Sequence, residues 1–201
     1  MAINDQFDHA LVFVSNVNNG PTKNKNGFVT RLNLAISASG VAVTNATVIA
    51  KGYTVEPNSA ALVLGPTGLA YDATTDTLYV ASTADNAIFA VSSAGSRTGS
   101  AGRGTAIFQD DHLRGPLALL FAPNGNLITT NGDAVNGDPT QPSEVVEFTK
   151  TGVFIGQFNV DAGQGGAFGM SVTSADSNTV RLAVVDDNAN DLIVFTRDVA
   201  R

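Results

Sequence analysis

Short apolar runs of four to eight residues, broken by polar turn-forming stretches, recur along the whole chain. Three of them open on glycine: Gly65-Pro66-Thr67-Gly68-Leu69-Ala70-Tyr71-Asp72, Gly115-Pro116-Leu117-Ala118-Leu119-Leu120-Phe121-Ala122 and Gly166-Ala167-Phe168-Gly169-Met170-Ser171-Val172. The three glycines stand fifty and fifty-one residues apart. A second run follows each opening: Leu78–Ser82, Leu127–Asn131 and Leu182–Asp186. A third follows that: Ala87–Val91, Glu144–Phe148 and Asp191–Phe195. A fourth, Thr105–Phe108 and Val153–Phe158, follows in the first two units. Such runs, rich in β-branched and aromatic residues and bounded by Gly, Pro, Asn and Asp, predict β-strands. Asn124-Gly125 predicts a hairpin, because both turn positions tolerate positive φ. No long stretch has helical periodicity.

Before the first glycine, His9–Asn16, Gly27–Leu32 and Thr47–Tyr53 match the second, third and fourth runs. The pattern therefore predicts an all-β fold: a β-propeller of four-stranded antiparallel blades, about four in number, with the first and last incomplete. The blades fall at 9–55, 65–109, 115–158 and 166–197 of one partial propeller domain spanning 1–201. A β-sandwich with coincidental spacing is the alternative. The lead Ile3–Phe7 can add one strand, either the inner strand of the first blade or the outer strand of the last, but not both. With either, the two ends do not complete one blade. The expectation is an open arc whose end blades expose apolar faces and self-associate. Burial between blade faces is expected for Leu78, Val80, Ile88, Val91, Leu127, Val146, Phe148, Leu182, Val184, Ile193 and Phe195.

Charge narrows the partners. The net charge is −7 and the eleven Lys and Arg are scattered, so nothing supplies the basic stripe that nucleic acid requires. No apolar run approaches the roughly 20 residues that cross a bilayer. There is no cysteine, which excludes disulfides, zinc–thiolate sites and thiol nucleophiles. Met1–His9 is polar and carries no signal-peptide pattern. Few lysines and abundant Asn, Thr, Ser and Gly fit an exported bacterial protein, periplasmic or extracellular in its full-length form.

The unit from Gly65 to Val91 resembles the NHL repeat, with its Pro-Xaa-Gly-Leu-Ala opening and Leu-Tyr-Val-Ala-Asp second strand. Ser82 replaces the Asp, and the unit from Gly115 lacks the second Gly. The resemblance covers about residues 60 to 196, and more loosely 9 to 55. It implies the C-terminal part of a larger exported bacterial NHL-like protein, with further blades upstream. It also implies that ligands bind where the loops joining strands two and three meet the blade-to-blade loops. These loops are Asn16–Asn26, Thr83–Asn86, Asn131–Ser143 and Asp187–Asn190, and those near Glu56–Leu64, Asp110–Arg114 and Asp161–Gly165.

Ligand-contact candidates on these loops are Asn16, Asp85, Asn131, Asp133, Asp187 and Asn188. Asp133 and Asp186 are metal candidates, since clustered carboxylates and amides suit Ca²⁺ or another divalent cation. Neither cluster has the EF-hand pattern, and Asn, Asp and Gly are also what turns are made of. No cofactor is expected otherwise. Gluconolactonase-like propellers hold a divalent cation with a Glu, an Asn and an Asp, the Asn lying in a Pro-Asn-Gly opening. That position is Thr67 or Leu117 here; Asp186 stands in for the Asp, and no Glu is obviously placed. NHL-type lyases place a catalytic or metal-binding His where His112 lies; beside Asp111 it is the one candidate general base, against the plain reading of an exposed loop residue. Ser82 and Ser171 lack a nucleophile-elbow context. The primary expectation is a non-enzymatic scaffold binding a protein or small ligand at the channel mouth; the alternative is a metal-assisted lyase or lactonase. Convergence of Asp133, Asp186 and His112 on one point would favour the enzyme.

Overall fold

A computed structural model describes residues 1–17, 26–59, 62–132, 140–176 and 179–198. Its strands form four antiparallel sheets in chain order. The first holds β1 (Ala2–Asp5), β2 (His9–Val17), β3 (Gly27–Ser37) and β4 (Gly40–Tyr53). A two-stranded hairpin, β5 (Glu56–Asn58) with β6 (Leu62–Leu64), leads to the second sheet. That sheet holds β7 (Pro66–Asp72), β8 (Thr77–Ser82), β9 (Ala87–Ser92) and β10 (Thr105–Phe108). The third holds β11 (Pro116–Phe121), β12 (Leu127–Asn131), β13 (Glu144–Phe148) and β14 (Phe154–Asn159). The fourth holds β15 (Ala167–Asp176), β16 (Thr179–Asp186) and β17 (Asp191–Asp198).

The fold is all-β and propeller-type, and the sheets do not close into a ring. The lead takes one of its two expected places, the inner strand of the first blade. The lead pairs as β1, with Ala2 opposite Phe13 and Asp5 opposite Ala10, so this sheet has four strands and only the last has three. Pairing with its own chain neighbour is the short-range choice for so short a lead.

Each sheet packs face to face on the next. Inner strand β7 lies against β2, β11 against β7 and β8, and β15 against β11 and β12. No comparable packing joins the fourth sheet to the first among the described residues. Three apolar layers fill the spaces. Phe13, Val29 and Ile49 meet Leu78, Val80 and Phe89; Tyr79 and Ile88 meet Leu127, Val146 and Phe148; Ile128 and Val145 meet Ala167 and Val184. Full burial of such side chains stabilises by about 1.5–3 kcal/mol each. Phe108 stacks on Phe148 at 4.5 Å, so the outer strand of one sheet covers the third strand of the next.

Eight of the eleven expected core residues are buried. Leu182, Ile193 and Phe195 are only half-buried, and all three lie in the last sheet, which among the described residues has a packed neighbour on one face only. Close approach explains the second glycine of the first repeat. A Cβ on Gly68 would stand 2.4 Å from the Leu117 carbonyl oxygen and 2.5 Å from the Leu119 nitrogen. Gly115, at φ +75°, makes the turn into β11.

Polar straps repeat with the blades. Ser15 and Thr130, at equivalent positions in β2 and β12, donate to the carbonyls of Thr67 and Phe168, equivalent positions in the following inner strands. Buried Arg31 donates to the Ala94 and Arg97 carbonyls at 3.0 and 3.1 Å, tying the first sheet to a turn of the second. Lys150 does the same for the third sheet, 2.7 Å from the Asp72 carboxylate.

Candidate functional site

The loops between second and third strands share one end of the arc with the blade-to-blade loops, and hydrogen bonds join them. Asn86, the last turn residue before β9, has φ +49°. Its Nδ2 donates to the Leu113 carbonyl and its Oδ1 accepts from the Gly115 N–H, both at 2.7 Å. Ser143, at φ +49° just before β13, repeats the device: its hydroxyl donates to the Gly163 carbonyl and accepts from the Gly166 N–H. Each turn thus pins the loop that enters the next blade.

Two of the expected ligand residues, Asp85 and Asn188, make similar side-chain pins. Asp85, with 7% of its side chain exposed, accepts from the Thr54 N–H and hydroxyl, the Ser82 hydroxyl and Arg103. Its charge is committed to the exit from β4. Asn16 donates to the Val14 carbonyl and the Thr30 hydroxyl within its own sheet. Asn188 donates to Asp161 at 2.8 Å and to the Gln164 carbonyl at 2.9 Å, and this bond holds the Asp161 carboxyl below its usual range. Asp187 is exposed, its N–H bonded to the Gly166 carbonyl. Asp186 is buried and accepts from the Asn188 N–H at 3.0 Å, an ordinary Asx turn. Asp133 lies outside the described residues.

His112 pairs with Asp110 at 3.0 Å rather than with Asp111, and its ring stacks on Phe154 at 3.7 Å. Among the described residues no three His, Asp or Glu side chains are grouped so as to hold a metal ion.

One pair stands apart from the pinning. Asn131 ends β12 and Glu144 begins β13, opposite each other by continuation of the Thr130–Val145 register. Asn131 is 0% exposed and Glu144 1%. The Asn131 Nδ2 donates to Glu144 Oε1 at 3.0 Å and to the His112 carbonyl at 2.8 Å. Its Oδ1 is buried and accepts no hydrogen bond among the described residues. Burying a carboxylate costs several kcal/mol unless neighbours compensate. The Asn131 N–H, not its oxygen, faces Glu144; the Glu144 carboxylate and the Asn131 Oδ1 are nonetheless hard-oxygen donors of the kind Ca²⁺ or Mg²⁺ accepts, and together would supply part of a coordination shell. Asn131 was expected from its loop; Glu144 was not. The signal was a charged residue opening an apolar strand where the unit from Gly65 has Ala87.

No family model matches the chain, and no curated protein does. Among solved structures it is similar to a luciferin-regenerating enzyme, with TM-score 0.52 and 10% identity over 98% of this chain and 61% of that one. A calcium-binding regucalcin from Agrobacterium tumefaciens superposes at TM-score 0.48 and 11% identity, over 96% of this chain and 62% of that one. A candidate gluconolactonase superposes at 0.45 and 12%, over 89% and 58%. The chain thus spans about three-fifths of each neighbour's length. At these identities the likeness shows the fold alone. Neither NHL-repeat identity nor a bacterial exported origin follows from it.

Proposed function

We propose that this chain is a propeller segment of a cation-assisted enzyme of the lactonase or lyase kind, with a small-molecule substrate at the loop end of the arc. The observation that carries the reading is the fully buried Asn131–Glu144 pair, whose Asn131 Oδ1 accepts no hydrogen bond among the described residues. These two side chains would hold a divalent cation, which when bound polarises a carbonyl oxygen. The chain's own groups do the rest. The His112 carbonyl and Glu144 orient the Asn131 carboxamide. The His112 imidazole, on the same loop and 3.0 Å from Asp110, would be the group that transfers a proton. The fold of the luciferin-regenerating enzyme supports an enzyme as host but does not transfer its reaction.

The test is proton release from five- and six-membered lactones in the presence of Ca²⁺, Mn²⁺ or Zn²⁺. Cation-dependent turnover is expected, falling about 10- to 100-fold in Glu144→Gln with the fold retained. No turnover with any cation, or undiminished turnover in Glu144→Gln, overturns it.

The scaffold reading has its own support: Asp186 and His112 are engaged within their own loops, and Asp85 and Asn188 with neighbouring segments of the chain. Ligand binding without cation dependence and without turnover would favour it.

A further inference from the structure

The fourth sheet ends on β17, whose outer edge pairs with no strand among the described residues. A cleft of about 710 Å³ lies beside it, between the third and fourth sheets, with Ile128, Phe158, Leu182, Phe195 and Arg197 in its walls. The preceding interface shows what fills such a space. In the third sheet, β14 sets Phe154 opposite Phe148, and Phe154 packs into the layer against the second sheet. Phe195 occupies the position of Phe148, since each pairs with the equivalent leucine of its second strand, Leu182 and Leu127. The fourth sheet has no counterpart of Phe154 among the described residues. On the opposite face of β17, Leu192 and Val194 are 59% and 52% exposed.

The sequence of β17 is self-complementary. Read antiparallel against itself about Val194, it sets Asp191 opposite Arg197, Leu192 opposite Thr196 and Ile193 opposite Phe195. The charge pair and the Ile193–Phe195 pair lie on the face of the half-buried residues, toward the third sheet; Val194 meets its own copy on the other. Ile193 of a second copy would then stand opposite Phe195 as Phe154 stands opposite Phe148.

We infer that β17 is a homodimerisation edge: two copies pair antiparallel through this strand, in the register centred on Val194, each supplying the fourth strand of the other's last sheet. The occupant is a second copy of this chain, on the grounds of the vacancy, the cross-strand charge match and the symmetric register. The inference is independent of the proposed catalytic reading.

The chain has no cysteine, which makes the test direct. Val194→Cys on the dyad should form a disulfide-linked dimer on mild oxidation, because directly opposed Cα atoms lie about 4.5–5.5 Å apart. Thr196→Cys, about 14 Å from its copy along the strand, should not. Sedimentation across a concentration series should show Asp191→Arg or Arg197→Asp dissociating about tenfold more readily. The double exchange should return to within about threefold of wild type. A monomer at all concentrations, cross-linking of Thr196→Cys equal to that of Val194→Cys, or no rescue by the double exchange overturns the inference.

Discussion

Replacing Asn86 by alanine removes a pin that has no counterpart at Asn190 among the described residues. Both residues end four-residue turns between second and third strands, and both have positive φ, +49° and +57°. Asn86 holds the Leu113 carbonyl and the Gly115 N–H, each at 2.7 Å, and Leu113 is fully buried. Asn190 is exposed. Two lost hydrogen bonds cost about 1 kcal/mol each. An alanine forced into the left-handed region adds roughly 1 kcal/mol, which asparagine tolerates better. Asn86→Ala should therefore lose about 3 kcal/mol, and Asn190→Ala only the backbone share of about 1 kcal/mol. Asn86→Gly relieves the backbone and should lose about 2 kcal/mol. Urea unfolding followed by circular dichroism reads the three midpoints at a common slope. Equal losses for Asn86→Ala and Asn190→Ala would refute the pinning role and leave only a turn preference.

Gly68→Ala should destabilise by about 1–3 kcal/mol, because its Cβ meets backbone atoms of β11 that cannot step aside; a thermal midpoint within error of wild type would contradict the close approach of β7 and β11. Asp72 and Asp76 predict acid sensitivity. The Lys150 hydrogen bond holds the Asp72 carboxyl below its usual range against the opposing effect of burial. Burial pushes Asp76 up, but hydrogen bonds from the Gly95 N–H, Ser96 and Tyr71 outweigh it and leave it lowered. Both folded-state values lie below the unfolded one, so their stabilisation is complete above about pH 4–5 and is lost as pH falls through the folded values. Urea midpoints should fall with acid from there, less steeply in Lys150→Met; a midpoint that rises with acid, or an unaltered slope in the variant, would contradict this.

The repeat was legible because glycine openings and short apolar runs report backbone needs that nothing distant overrides. The four sheets follow the runs closely. The lead was not decidable from sequence, since four residues such as Ala2–Asp5 carry no mark of which edge they join. The β5–β6 hairpin was missed because Glu56–Leu64 contains Pro57 and polar residues and reads as a loop. At the loop end, residue type misled. Asp85, Asp186 and Asn188 suit cations, but the same side chains also suit turns and loop contacts: the Asp85 and Asp186 oxygens accept backbone N–H groups, and the Asn188 amide donates to a neighbouring loop. Glu144 carried the opposite disguise: on an apolar strand it reads as one polar position among many, and only its pairing with Asn131 reveals a buried polar pair.

The most direct test of that pair is calorimetric titration of the metal-stripped protein with Ca²⁺ and Mn²⁺, run on wild type, Asn131→Ala and Glu144→Gln. Saturable binding of one cation by the wild type is predicted, lost or weakened at least about tenfold in both variants while their circular dichroism stays native. Wild-type protein that takes up neither cation, or variants that bind as tightly as wild type, would contradict a cation site at Asn131 and Glu144.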